Sequence, residues 1–251
     1  MIFVTGDIHS RPKERLSPNC FPEGKEMTKD DYVIICGDFG VVWDQEKEGK
    51  IEKELLDWLE AFPFSVLFCD GNHENFDRLK EYPEKEWHGG KVYEIRPHVL
   101  HLMRGYVFDI EDKKFFVFGG ASSHDVSDGI LDPLKDKAKI EKWKKEPSKM
   151  FRVSHVSWWK EELPTREEMR RGLESLEKVD YKVDFVITHS PTTSTLVLLG
   201  AGRFKNDYLS DYLEEIKVKL DYKYWFCGHM HVDKQLNTQD IILFEQIIRI
   251  A

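Results

Sequence analysis

The sequence lacks paired cysteines and long apolar runs, and each lack narrows the class of protein. Its four cysteines show no Cys-x-x-Cys spacing, and three of them lie inside apolar runs as small core residues do, which fits a reducing compartment. The longest apolar stretch near a loop, residues 196–201, is far shorter than the roughly 20 residues that a membrane-spanning helix needs. The chain begins with Ile2-Phe3-Val4 and no basic region before it, unlike a signal peptide. We therefore expect a soluble, cytoplasmic protein.

Basic residues are outnumbered by acidic ones, and the formal net charge is −9. An acidic protein repels nucleic-acid phosphates on average, so a polyanionic substrate would need a local positive site, which bound metal would supply. Residues 135–149 depart from this balance, with seven lysines against Asp136, Glu141 and Glu146. This stretch could steer a polyphosphate or nucleic acid, although a solvated amphipathic helix is the simpler interpretation.

The sequence also lacks internal repeats, linkers and low-complexity tracts, so nothing divides its 251 residues into separate units. With 41% hydrophobic residues it has enough apolar surface to fold alone, and we expect a single domain over residues 1–251. Residues 122–160 are irregular, rich in lysine, and contain the pair Trp158-Trp159. Because long excursions of this kind are usually functional or disordered, we expect a lid-like excursion over the site.

Short continuous runs of β-branched and aromatic residues predict strands that are buried on both faces. Each of the five clearest runs is followed closely by Gly, Asp, Asn or His; the runs are Ile2–Thr5, Tyr32–Cys36, Ser65–Cys69, Asp184–Thr188 and Tyr224–Cys227. In layered α/β proteins the ligand site lies at the carboxyl ends of the strands. The five endings therefore predict one shared crevice.

Amphipathic segments between these strands predict connecting helices. They are Lys50–Phe62, a segment that begins with a capping box of Thr165 and Glu168 and runs towards Val179, and Asn206–Leu220. Further strands that would complete mixed sheets are predicted at Lys91–Glu94, Phe115–Gly119, Lys234–Leu236 and Ile241–Ile248.

The residues that follow the five strands are of metal-binding types. They are Asp7-Ile8-His9, Gly37-Asp38, Gly71-Asn72-His73-Glu74, Thr188-His189 and Gly228-His229-Met230-His231. Two residues spaced i, i+2 point to the same side of an extended chain end, one carboxylate can offer an oxygen to each of two ions, and imidazole suits first-row transition metals. Each motif alone has a plain alternative, such as a turn or a satisfied core histidine. Five of them at five strand ends predict a metal centre.

The five motifs resemble those of the calcineurin-like metallophosphoesterases, and the resemblance spans residues 2–231. It implies a four-layer αββα sandwich of two mixed β-sheets flanked by helices, with two divalent transition-metal ions (Mn, Fe, Zn or Ni) at the strand ends. By matching position, it implies that Asp7, His9 and His231 hold one metal, that Asn72, His189 and His229 hold the other, and that Asp38 bridges them.

The resemblance also implies roles in catalysis. The two metals would turn a shared water into hydroxide for in-line attack on phosphorus. His73 would stay unliganded, and would donate a proton to the leaving group or stabilise the developing charge. Glu74 could orient a neighbour of the metals or form a salt bridge.

The chain departs from the protein Ser/Thr phosphatase branch of that family. After Gly37-Asp38 it reads Phe39-Gly40-Val41-Val42-Trp43, and the Asp and Arg that orient the histidine and grip phosphate in that branch are absent. A dedicated phosphoprotein phosphatase is therefore not expected, and residues 121–125 and 158–165 look like a bacterial and phage-associated subgroup. Candidates for substrate contact are Arg11, His124 and Arg203, with Asp125 also near the crevice; a solvated surface residue or a loop cap is the alternative for each.

The sequence therefore predicts metal-dependent hydrolysis of phosphate mono- or diesters, with small molecules or nucleotides favoured over proteins as substrates. One alternative is a nuclease or phosphodiesterase acting on nucleic acid, which residues 135–149 favour and the net charge disfavours. Another is a noncatalytic metal-binding scaffold of the same fold, which the presence of His73 and of every ligand disfavours.

Overall fold

The computed structural model describes residues 1–200 and 203–251. Within those ranges the strands are β1 (Ile2–Thr5), β2 (Tyr32–Ile35), β3 (Ser65–Phe68), β4 (Glu84–Trp87), β5 (Gly90–Arg96), β6 (Val99–Leu102), β7 (Tyr106–Ile110), β8 (Lys113–Phe118), β9 (Gly129–Leu131), β10 (Phe151–Val153), β11 (Phe185–Thr188), β12 (Tyr224–Cys227), β13 (Lys234–Gln235), β14 (Asp240–Ile242) and β15 (Ile247–Arg249). The helices are α1 (Pro12–Leu16), α2 (Lys50–Glu60), α3 (Phe76–Leu79), α4 (Lys137–Trp143), α5 (Arg166–Glu177), α6 (Thr193–Gly200) and α7 (Tyr208–Lys219). None of these helices is long and apolar enough to cross a membrane.

Two mixed β-sheets form the centre of the molecule. The first has the strand order β15-β1-β2-β3-β6-β5-β4, and the second has the order β13-β14-β12-β11-β8-β7. Strands β1, β2, β3 and β6 are mutually parallel, as are β8, β11, β12 and β14. Antiparallel strands flank both groups. The carboxyl ends of the parallel strands in each sheet therefore lie at one edge.

Side chains alternate between the two faces of each strand, and three apolar layers result. In β2, Ile35 packs in one cluster with Leu56 of helix α2, whereas Ile34 packs in a second cluster with Phe115 of the other sheet. In β8, Phe116 faces the third cluster, which contains side chains of α5 and α7. A helix layer thus covers the outer face of each sheet, which confirms the predicted four-layer arrangement.

The predicted elements on which the site depends are present. The five strands agree with the predicted runs to within one residue at each end. Helix α5 begins with the predicted capping box, since Thr165 Oγ1 accepts from Glu168 N at 3.2 Å and Glu168 Oε2 accepts from Thr165 N at 2.7 Å. Helices α2 and α7 lie inside the predicted segments.

The range Ile241–Ile248, predicted to contain strand structure, forms parts of two separate strands. The structure divides it into β14, which pairs with β12 in the second sheet, and β15, which pairs with β1 in the first. Phe244, Glu245 and Gln246 lie between these two strands, and their backbone N–H groups donate to the Asp233 carboxylate at 2.7–3.1 Å. These N–H groups cannot also join a strand ladder, so the chain leaves one sheet and enters the other.

The irregular segment 122–160 has a small core of its own. Strands β9 and β10 pair in parallel, and Ile140 of α4 packs against Leu131 and Val153 of these strands. Near the end of the segment, Trp159 is fully buried in the cluster between the first sheet and helix α2. Its Nε1–H donates to the Asp77 carboxylate at 2.7 Å. The end of the excursion is therefore anchored in the main body.

Candidate metal centre

The loops that follow β1, β2, β3, β11 and β12 meet at one edge of the sandwich. The first two loops are tied together, because Ile8 and His9 donate backbone N–H groups to the Asp38 carbonyl at 3.2 and 2.9 Å. In the second sheet, Gly228 N donates to the His189 carbonyl at 3.1 Å. Segments that are distant in sequence thereby present their polar residues to one another.

Close approach between these loops requires glycine. A Cβ atom on Gly71 would overlap the Asp38 carboxylate, and one on Gly228 would overlap the carboxylate of Asp7. Gly71 and Gly228 therefore leave space for the carboxylates of Asp38 and Asp7.

The backbone is bent into the left-handed region at several predicted ligands. The φ angles are +43° at His9, +48° at Asp38, +66° at His229 and +48° at His231. Residues other than glycine seldom adopt such angles, and each costs on the order of 1 kcal/mol or more. Strain that is concentrated in one place is typical of functional sites.

Four of the predicted ligands form one compact group. Asp7, His9, Asp38 and His231 each offer a ligand atom, and these atoms lie within 4.8 Å of one another. Nε2 of His231 is 2.9 Å from Nε2 of His9 and 3.3 Å from Oδ2 of Asp7. Two imidazole nitrogens and a carboxylate that converge in this way suit a shared transition-metal cation.

The other three predicted ligands, Asn72, His189 and His229, lie beside this group. Nε2 of His189 is 3.3 Å from Oδ1 of Asp38, and the His189 and His229 rings have centroids 5.0 Å apart. Backbone N–H of His229 donates to both carboxylate oxygens of Asp7 at 3.1 Å. The structure thus brings six of the seven predicted ligands into contact with one another, and Asn72 directly follows Gly71, which packs against Asp38.

Two of these side chains are oriented so that a ligand atom stays free. His189 Nδ1 donates to the Cys36 carbonyl at 2.7 Å, and Asn72 Nδ2 lies 3.4 Å from Oγ of Ser123. Among the described residues, Asn72 Oδ1 is then buried without a hydrogen-bond partner, and His189 Nε2 also lacks a well-aligned hydrogen bond, although it lies 3.3 Å from Oδ1 of Asp38. A metal ion binds through just such atoms, with the opposite atom of the side chain held by a hydrogen bond. The donor set therefore fits divalent metal.

The buried charged groups of the centre shift one another's pKa values. Burial opposes ionisation of Asp38, but the charge of His189 and its hydrogen bond outweigh burial and hold the pKa of Asp38 well below its usual range. Burial likewise opposes the charged form of His189, yet Asp38 and Asp7 raise the pKa of His189 to about 10. His189 and the two buried carboxylates thus attract one another, which offsets part of the cost of burying them.

His73 lies in the crevice next to the ligand group. Its backbone N–H donates to Oδ1 of Asp38 at 2.8 Å, and its ring centroid is 5.1 Å from that of His9. Nη2 of Arg152 lies 3.2 Å from His73 Nε2. Because arginine carries only donors, His73 Nε2 accepts this hydrogen bond. Burial, aided by the charge of Arg152, lowers the pKa of His73 despite the opposing effect of Asp38.

Two buried glutamates support the loops behind the centre. Glu74 accepts the backbone N–H groups of Phe39 and Gly40 at 2.8 and 3.0 Å, so it holds the loop after β2 in place. Glu162 accepts N–H and Oγ–H of Ser123 at 3.2 and 2.9 Å. Ser123 also contacts Asn72, so Ser123 links Glu162 to that predicted ligand.

The three predicted substrate contacts differ in their surroundings. The His124 ring packs on His229, with centroids 4.5 Å apart. Arg203 lies with His124 beside a cavity of about 700 Å³ that reaches His229 and His231. Arg11 lies at a cavity of about 800 Å³ on the other side of His231, but its side chain is 71% exposed and pairs with Glu14.

The sequence did not single out Arg152 or Glu162. Arg152 is buried, and its Nε donates to Asp125 at 2.7 Å while its Nη1 donates to the Ser157 carbonyl at 3.0 Å. Arg152 lies within the irregular segment and Glu162 lies two residues beyond its end, where no periodic pattern indicated a function. The pair Trp158-Trp159 was the available signal, since Trp159 anchors this part of the chain.

The match to a protein-family model agrees with this geometry. A family model described as calcineurin-like phosphoesterase matches residues 1–233. One similar solved structure is a Staphylococcus aureus protein described as a proposed 5′-nucleotidase, in complex with alpha-ketoglutarate, with 15% identity and a TM-score of 0.46. The match covers 97% of this chain and 48% of that one, so this chain spans about half of that protein's length. No curated protein matches the chain.

Proposed function

The chain belongs to the calcineurin-like phosphoesterase family, and on that premise we propose that it hydrolyses phosphate mono- or diesters of small molecules or nucleotides with two bound divalent ions. The observation that supports the two-metal proposal most directly is the pair of buried atoms without partners, Nε2 of His189 and Oδ1 of Asn72. An unsatisfied buried polar atom costs about 1–3 kcal/mol, and a bound ion would remove that cost. The two residues follow strands of different sheets, so the ion would also join the sheets.

In this proposal each ion has its own ligands and Asp38 contacts both. Asp7, His9 and His231 would hold one ion, and Asn72, His189 and His229 would hold the other. When bound, the ions supply positive charge that polarises the phosphoryl group and activates water. Mixed carboxylate, amide and imidazole ligands accept Mn, Fe, Zn or Ni.

His73 is proposed as a catalytic residue that contacts the reacting phosphoryl group. Because its Nε2 accepts from Arg152, that nitrogen carries no proton to donate in the arrangement described. In that arrangement Nε2 can neither donate a proton nor stabilise developing negative charge, which favours a role for His73 in positioning Arg152. Asp38 accepts the His73 backbone N–H and so ties the catalytic histidine to the metal ligands.

The contacts made by the lysine-rich helix α4 favour a small-molecule substrate over nucleic acid. Lys139 Nζ lies 4.1 Å and Lys149 Nζ 5.0 Å from the centroid of the Trp143 ring. These contacts occupy the aromatic face on which a base would stack. Five of the seven lysines in residues 135–149 are therefore engaged with Trp143 or with neighbouring acidic residues; they are Lys135, Lys139, Lys142, Lys144 and Lys149.

The test is a panel of aryl monoesters, aryl diesters and nucleotides assayed with Mn²⁺, Ni²⁺, Zn²⁺ or Mg²⁺. The natural protein is compared with Asp38→Asn and with Asp109→Asn, a matched change at an exposed position of edge strand β7. Loss of the shared carboxylate should lower kcat by more than the roughly 10-fold to 100-fold that follows loss of a residue that only orients a metal ligand, whereas the control should retain activity.

Undiminished turnover by Asp38→Asn would contradict the two-metal proposal. A metal-loaded natural protein that hydrolyses no member of the panel would instead support the noncatalytic scaffold. Activity on single-stranded DNA or RNA that falls steeply with salt would favour the nucleic-acid alternative.

A further inference from the structure

We propose that Arg152 binds the phosphoryl group of the substrate, so that the irregular segment 122–160 supplies a catalytic residue. The inference rests on the proposed phosphoesterase function. Its basis is the position of the guanidinium, whose Nη2 lies 3.2 Å from Nε2 of His73, and His73 in turn contacts Asp38 in the predicted ligand group.

The segment holds Arg152 in place through both of its ends. Nε donates to Asp125 near the start of the segment, and Nη1 donates to the Ser157 carbonyl near its end. The turn that carries Ser157 is fixed in turn, because Trp159 is fully buried and both Trp159 and His155 contact the Asp77 carboxylate at 2.7 Å. A guanidinium held this firmly loses little further entropy when it binds a ligand.

The hydrogen-bonding capacity of Arg152 is not used up by these contacts. A guanidinium has five N–H donors, and the contacts of Arg152 with Asp125, Ser157 and His73 use three of them. The remaining donors match phosphoryl oxygens, which arginine binds in forked geometry. Among the other candidates, Arg11 is exposed and paired with Glu14, and Nε of Arg203 donates to the Gly200 carbonyl.

The experiment compares Arg152→Ala and Arg152→Lys with the natural protein, all loaded with Mn²⁺. Arg170→Ala is the matched control, because Arg170 is exposed on α5 and pairs with Glu174. The measurements are kcat and KM on a hydrolysed ester, the inhibition constant of inorganic phosphate, metal content and circular dichroism.

Arg152→Ala should lower kcat/KM by about 100-fold to 1000-fold, in the range found for removal of one donor to developing negative charge. Phosphate inhibition should weaken at least about tenfold, since a tenfold loss corresponds to 1.4 kcal/mol, the size of a charged hydrogen bond. Free guanidinium in the assay should restore part of the activity. Arg152→Lys should be intermediate, because ammonium keeps the charge but not the fork.

A variant Arg152→Ala that binds phosphate as tightly as the natural protein would overturn the proposal, even if it were slow, because the arginine would then act through the fold alone. Should Arg152→Ala fail to fold or lose metal, Arg152→Lys decides, and unchanged phosphate inhibition and kcat/KM would overturn the proposal. If the natural protein hydrolyses no ester, the proposed function fails separately. Calorimetric binding of inorganic phosphate to the metal-loaded variants then tests Arg152 by itself.

Discussion

Glu162 offers a sharp prediction about stability and pH. Its carboxylate is 2% exposed, and burial raises the pKa of Glu162 to about 7, although hydrogen bonds from Ser123 and the charge of Arg152 oppose that rise. Glutamine has the shape of the protonated acid and can keep both contacts with Ser123. We therefore expect Glu162→Gln to mimic the neutral side chain at every pH.

The sign of the effect follows from the two pKa values. The folded protein holds the Glu162 proton more tightly than the unfolded chain, in which the pKa is 4.5, so the free energy of unfolding should fall as pH rises from about 4.5 to 7. The difference in pKa corresponds to at most roughly 3 kcal/mol. Glu162→Gln should therefore match the natural protein near pH 4.5 and exceed its stability by about 1–3 kcal/mol at pH 8.

The assay is urea unfolding of the metal-free protein at several pH values between 4.5 and 8.5. The difference between variant and natural protein removes the contribution of groups that titrate in both. Curves that run parallel across this range would refute the argument, because they would show that Glu162 has the same pKa in the folded and unfolded states. With Mn²⁺ bound, the difference should shrink, since nearby cations favour the ionised carboxylate.

Three further predictions follow from the same contacts. Removal of bound metal by a chelator should lower the melting temperature in differential scanning calorimetry, because a metal ion at about 1000 times its Kd adds about 4 kcal/mol to the free energy of unfolding. An unchanged melting temperature would count against metal ligation by the buried residues. Trp159→Ala should destabilise the protein by about 3–5 kcal/mol in urea unfolding, with the half-buried Trp158→Ala as the milder control. Thr165→Ala should cost about 1 kcal/mol by the same measurement through loss of the capping box, and a cost near zero would mean that α5 is held by packing alone.

The strands that carry the predicted ligands could be recognised from the sequence because they are parallel and buried on both faces. Such strands are continuous apolar runs, and a ligand residue that follows them breaks the run abruptly. The helices that begin with clear caps, such as α5 after Thr165, were equally recognisable. Short or polar strands were not: β4 is largely exposed, and β9 and β10 contain three residues each.

Other parts of the site depend on contacts between distant segments. Arg152 is held by Asp125 and Ser157, which lie on either side of it in the chain. The turn that carries Ser157 is fixed by Trp159, which is buried in the cluster between the first sheet and helix α2. Neither relation has a local sequence signature. The free Oδ1 of Asn72 likewise depends on Ser123, which is 51 residues away. Sequence reasoning found the metal-binding residue types but not the side chains that orient them.

The metal centre carries several unfavourable features that bound ions would offset together. Asp7 and Asp38 are both buried, four predicted ligands have left-handed backbone angles, and two buried polar atoms have no partner among the described residues. Each feature costs free energy in a protein without metal. Bound cations would reduce the repulsion between the carboxylates, and the ion held by Asn72, His189 and His229 would also satisfy the free atoms of Asn72 and His189. Because these ligands come from both sheets, the same ions that would activate a phosphoester would hold the two sheets together at their shared edge.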